Sequence, residues 1–215
     1  MQLQQELSAF YAKHGFGELV GARPRTVSVY TGCLLVPLPN VEARHRYLKY
    51  HDLHHLITRY SVGRIGEGEV SAWELGTGSL MASPTLAFMN LIALSTGLVL
   101  EPRRMWRAFA RGTRSRNLYA RGTRSSVDAG EWQNVAQLRE WALDARPFNP
   151  VRLWLRAVEF GLYCVAAMVI HAFIAVPALV ARFITDRLGL QLFPSHQAEE
   201  AQRFVLGARV PTPGL

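Results

Sequence analysis

His51, Asp52 and His55 fall within five residues, and eleven residues separate His55 from Glu67. Two imidazoles and two carboxylates form a ligand set for a divalent first-row metal, with zinc, iron, manganese and cobalt all suited to it. On one helix His51 and His55 lie a turn apart and Asp52 lies three residues before His55, so the three side chains converge on one side. Glu67 then arrives from the next element across a short turn marked by Gly63 and Gly66. Glu74, seven residues further on, shares the face of Glu67. It either stands behind the ligands and orients one of them, or is a solvated helix-end glutamate. His54, one residue off the ligand face, is a helix-surface residue or another support.

The elements that must position these groups read as helices. Leu3, Leu7 and Phe10 recur at helical spacing over 3–14, and Gly15 stops the run. From Thr26 to Pro37, β-rich runs flank Thr31-Gly32 and predict a small hairpin, which needs helices to pack on. Asn40 is the expected N-cap of a helix over 41–60 that carries the histidines near its end. A second helix starts near Glu67 and passes through Val70, Trp73 and Glu74. The uncharged stretch 75–100, interrupted by Gly76, Gly78 and Pro84, reads as a turn and a buried helix flooring an apolar pocket. ARGTRS occurs at 110–115 and again at 120–125, which reads as a local duplication in an exposed basic segment. An amphipathic helix is expected over 131–145, with Trp132, Ala136, Leu138 and Leu143 inward.

Asn149-Pro150 is a helix start, a capping residue followed by proline at the first helical position. Phe160–Ala181 then runs 22 residues without Asp, Glu, Lys or Arg. At ~1.5 Å per residue it is long enough for a hydrocarbon core of ~30 Å. A transmembrane helix is the expectation, and a buried core helix the alternative. Trp154 and Tyr163 suit an interfacial belt, and arginines 139, 146, 152 and 156 put the N-terminal side in the cytoplasm. His171 sits mid-run and Pro177 can kink its last turns; the tail after Phe193 reads as irregular. The fold class is thus mainly α: a helical domain (1–146) with a small N-terminal β-hairpin, and a C-terminal extension (147–215) with the apolar helix.

The net charge of +8 comes almost wholly from arginine, with Lys13 and Lys49 the only lysines. Eight arginines between Arg103 and Arg124 seek anions, and lipid phosphate and nucleic-acid phosphate look alike to them. No nucleic-acid-binding motif accompanies the charge, so nucleic acid is set aside as a partner. Cys33 and Cys164 are isolated thiols that fit a reducing compartment. The opening MQLQQELSAFYAKH has no basic flank and apolar run of a leader. Together these place the chain on a membrane at its cytoplasmic face, as at a bacterial inner membrane.

The pattern HDxxH, eleven residues and Glu resembles the defining motif of the coenzyme Q biosynthesis protein four family. RYLKY before the motif, Gly66-Glu67 leading to Trp73-Glu74, and GEWQNVAQLREWAL agree with it, so the resemblance covers roughly residues 40–145. It implies an all-α, membrane-associated fold with a divalent metal on His51, Asp52, His55 and Glu67. It further implies action on the polyprenylated aromatic head group of ubiquinone precursors, linked to loss of the ring carboxyl with hydroxylation at that carbon. Other quinone-biosynthesis proteins are implied partners. The N-terminal part is shorter than is usual for that family, and the segment after about Pro147 lies outside the resemblance.

Two other readings compete. One is a non-catalytic lipid-binding scaffold, its metal holding two helices together. The other is an HD-type phosphohydrolase drawing on His14 or His45 and on Asp128, a scheme that leaves the Glu67 spacing unexplained.

Overall fold

The computed structural model describes residues 2–14, 26–31, 34–39, 42–147 and 149–188. The expectations for Gly15, Gly32, Cys33, Asn40 and the tail after Phe193 lie outside these residues.

The chain is mainly α-helical. α1 (Leu3–His14) buries Leu3, Leu7 and Phe10, as their spacing requires, and packs on α2 (Glu42–Thr58). Between them β1 (Thr26–Thr31) and β2 (Leu34–Pro39) pair antiparallel, Thr26 opposite Pro39.

α3 (Arg64–Thr77) is the central helix, with every residue from Gly68 to Gly76 buried. It begins three residues before Glu67, earlier than expected. Gly66 belongs to the helix and not to a turn, and it must be glycine because the Ser61 carbonyl packs against it: a Cβ there would lie 1.9 Å from that oxygen. Gly78 ends α3 in the left-handed conformation (φ 91°), a role for which glycine has no steric cost.

A short 3₁₀ turn, Ser79–Met81, leads to α4 (Pro84–Leu100), which has proline in its first turn. α5 (Pro102–Gly112) completes the layer around α3. Gly76 and Gly112 let α3 and α5 meet backbone to backbone; a Cβ on Gly112 would lie 2.1 Å from the Trp73 carbonyl oxygen.

The two ARGTRS copies differ, contrary to the single exposed segment expected. The first ends α5 with Gly112, Thr113 and Ser115 buried, because Gly112 is the contact with α3. The second opens α6 (Arg121–Asp128) at the surface. α7 (Val135–Ala142) is shorter than the 131–145 expected, since the Asn134 side chain accepts the Gln137 N–H and fixes its start. Val135, Leu138 and Ala142 face inward, whereas Ala136 is exposed. Trp132 and Leu143 still pack on the core from outside the helix.

α8 (Pro150–Arg187) starts as expected, with the Asn149 side chain accepting the Arg152 N–H, and extends beyond the apolar run at both ends. One stripe packs on the body. Arg156 donates to the Gly76 carbonyl (2.8 Å), Phe160 meets the Phe109 ring (4.8 Å), and His171 Nδ1 lies 3.1 Å from Ser95 Oγ on α4. The opposite face, with Trp154, Leu155, Leu162, Val165, Phe173 and Val176, is exposed. Only 11 % of its most apolar stretch is buried, which rules against the core-helix alternative, and the helix is long and apolar enough to cross a membrane.

Candidate metal centre

α2 and α3 bring His51, His55 and Glu67 together, with a ligand atom from each within 4.8 Å of the others. The two imidazoles, one turn apart, meet edge to face at 5.0 Å. Glu67, in the first turn of α3, reaches both. Its Oε2 lies 3.2 Å from His51 Nε2 and its Oε1 lies 3.4 Å from His55 Nε2.

Hydrogen bonds on the far side of each ring set which nitrogen faces this point. His55 Nδ1 lies 3.1 Å from the Tyr60 carbonyl oxygen, which can only accept, so Nδ1 carries the proton. His55 Nε2 is buried without a hydrogen-bond partner. His51 Nδ1 lies 2.9 Å from Glu74 Oε1 and donates to it. Both rings therefore aim Nε2 at the same place, as metal-binding histidines held from behind by carboxylate or carbonyl do. The donor set fits a divalent cation.

Glu74 is wholly buried, so the solvated helix-end reading fails. Its Oε1 also takes hydrogen bonds from His54 Nδ1 (2.7 Å) and the Tyr119 hydroxyl (2.6 Å). His54 is buried as well, and its Nε2 accepts the Leu118 N–H at 2.9 Å, which assigns its proton to Nδ1. Burial opposes the charge on Glu74, but the neighbouring His51 and His54 outweigh it and hold the carboxyl well below the usual carboxylate range. Burial likewise opposes the charge on Glu67, and the neighbouring His51 and His55 bring its carboxyl down to about 2. Burial lowers His54 and keeps its ring neutral.

Asp52, expected as a fourth ligand, lies outside the converging group. It lies one residue on from His51, about 100° around α2, and although His51, His55 and Glu67 all act on its charge, its Oδ2 accepts the Tyr11 hydroxyl at 3.0 Å. Asp128, which a phosphohydrolase site would need, is bound instead to Lys49 Nζ (2.9 Å) and the Tyr50 hydroxyl (2.5 Å).

The C-terminal end of α2, which carries His55, is tied down by arginines. Arg139 donates to the Leu56 and Ile57 carbonyls (2.6 and 2.7 Å) and Arg111 to that of Thr58 (3.1 Å). These satisfy carbonyls that a helix end leaves unpaired. The site opens on the side of Glu67, whose side chain is 37 % exposed against 19 % for His51 and 1 % for His55.

Tyr11, Tyr60 and Tyr119 join the site although no motif marks them in the sequence. For Tyr119 a signal existed: Leu118-Tyr119 is an apolar pair between two basic hexapeptides, a sign of a segment pinned to the core. Tyr60 acts through its backbone carbonyl, which no side-chain pattern reports. Compared with protein-family models, curated proteins and solved structures, the chain matches none.

Proposed function

We propose that this chain is a membrane-attached metalloenzyme of ubiquinone-type biosynthesis, related to the coenzyme Q biosynthesis protein four family. His51, His55 and Glu67 hold its divalent ion. Its substrate is the head group of a polyprenylated hydroxybenzoate, and its reaction class is oxidative loss of the ring carboxyl. The observation that carries the reading is the pair of Nε2 atoms aimed with Glu67 at one point, each ring fixed from behind by Glu74 or the Tyr60 carbonyl.

When bound, the ion supplies Lewis acidity toward a phenolate or carboxylate oxygen and, if it is redox-active, a place for dioxygen. The protein's own part is positional and electrostatic. Glu74 holds the His51 proton on Nδ1, and the half-exposed Glu67 offsets cationic charge at the mouth. The exposed apolar face of α8 gives a prenyl tail and the bilayer the same kind of surface.

A scaffold with a purely structural metal predicts a closed, four-ligand site. Three ligands around a half-exposed Glu67 favour an open one. The test is turnover. Metal-loaded chain in detergent, given a prenylated 4-hydroxybenzoate and air, is expected to release carbon dioxide and form the ring-hydroxylated product, with water supplying the new hydroxyl and dioxygen taking the two electrons to leave as hydrogen peroxide, and His55→Ala is not. Binding of the lipid without turnover under any of the four metals would select the scaffold.

A further inference from the structure

A second cluster of like charge lies apart from the metal ligands, at the foot of α8. Arg107, Arg111 and Arg114 from α5 and the residues after it, with Arg146 and Arg152 around the start of α8, line a cavity of about 450 Å³. Two of the five have internal partners: Arg111 caps Thr58, and Arg114 pairs with Asp144 at 2.6 Å. The side chains of Arg107, Arg146 and Arg152 have no carboxylate partner among the described residues. Burial and the neighbouring Arg152, Arg116 and Arg156 all weigh against the charge of Arg146. Gathering unneutralised guanidinium groups around a concavity costs electrostatic energy that a bound anion returns. The N-terminus of the 38-residue α8 adds its positive dipole end to the same place.

The walls say which anion. Trp106, Pro147 and Leu153 make part of the lining apolar. Immediately beyond it the outer face of α8 begins, with Val151 and Trp154 each 71 % exposed. Leu153 precedes the start of the uncharged run at Phe160 by seven residues, about 10 Å along the helix, a distance comparable to the depth of a head-group layer. We infer that this cavity binds the phosphate head group of an anionic membrane phospholipid, with Arg107, Arg146 and Arg152 as its cationic contacts and the acyl chains along the outer face of α8. The inference rests on the membrane attachment proposed above. Guanidinium groups suit it because their planar forks meet phosphate oxygens two at a time.

The test is flotation of the full chain, diluted from mild detergent, with vesicles of phosphatidylcholine alone or with roughly one-third phosphatidylglycerol, a composition that gives an anionic surface potential. The parent is expected to float with both and to partition on the order of a hundredfold into the anionic vesicles, at roughly fivefold for each of the three arginines engaged. The triple variant Arg107→Gln/Arg146→Gln/Arg152→Gln loses that preference and keeps its attachment to phosphatidylcholine. The charge-matched control Arg103→Gln/Arg121→Gln/Arg187→Gln keeps the preference. Equal loss in both triples would mean diffuse attraction and would overturn the site, as would equal flotation of the parent with both vesicles, while leaving the attachment standing. Flotation with neither would overturn attachment and site together. Millimolar inorganic phosphate that removes the anionic preference, at constant ionic strength, would reassign the cavity to a soluble phosphate.

Discussion

His51 Nδ1 stands 2.9 Å from Oε1 of Glu74, a carboxylate with no exposed surface that also takes hydrogen bonds from His54 and Tyr119. Three donors on one buried oxygen fix the tautomer of His51 and, with it, the direction of Nε2. Glu74→Gln removes the charge that the donors were arranged around. It is expected to weaken metal binding ~10–100-fold while the helices remain. Titration with a competing chelator reads the affinity, and circular dichroism reads the fold. Unchanged affinity would show that Glu74 serves packing alone.

Metal binding should tighten as pH rises. In the metal-free protein burial pulls His51 down, but Glu74 and Glu67 overcome it and hold the ring well above its ordinary 6.5. That contribution to stability is complete below 6.5 and is lost as pH climbs through the raised folded value. Glu67 acts in the opposite sense: brought down from 4.5 to about 2, it contributes above 4.5 and loses its contribution as pH falls toward 2. For this cluster, the metal-free chain is thus steadiest between those two windows. An ion competes with the His51 proton, so calorimetry in buffers of different ionisation enthalpy should find about one proton released per ion near neutral pH.

Asp52 offers a sharp distinction. Held by Tyr11 rather than aimed at the ligand point, it is expected to tolerate change. Asp52→Asn should retain metal stoichiometry and lose less than tenfold in affinity, with Tyr11→Phe behaving alike. Complete loss of metal in Asp52→Asn would make it a fourth ligand.

Arg139→Ala removes two charge-assisted bonds from the end of α2. Thermal unfolding should report a loss of about 2–4 kcal/mol, at roughly 1.5–3 kcal/mol per such bond with partial replacement by water. Metal affinity should fall with it, because His55 sits in that last turn.

Gly112→Ala places a Cβ against the Trp73 carbonyl, where backbone cannot yield cheaply. A loss of about 1–3 kcal/mol is expected. The same change at Gly122, which has open space around it, should cost much less.

How far the sequence could be read follows from where the information resides. The i, i+4 histidines and the Glu67 spacing are local quantities, and they carried the site's location. Leu3, Leu7 and Phe10 marked a buried helix face for the same reason. The start of α3 was misplaced because Gly66 reads as a turn residue, whereas the carbonyl that needs it small belongs to Ser61 and to the fold. Glu74 was ambiguous because its partners arrive from Tyr119, 45 residues away. The first ARGTRS copy looked exposed because arginine dominates it, yet Gly112 at its centre is the helix contact.

The most direct test of the account is metal content, measured by elemental mass spectrometry on protein purified without chelator or added metal. The parent is compared with His55→Ala and Glu67→Ala, each shown to be folded by circular dichroism. Near-stoichiometric divalent metal is expected in the parent, and its loss in both variants. A folded parent with no metal, or variants that retain it, would contradict the account.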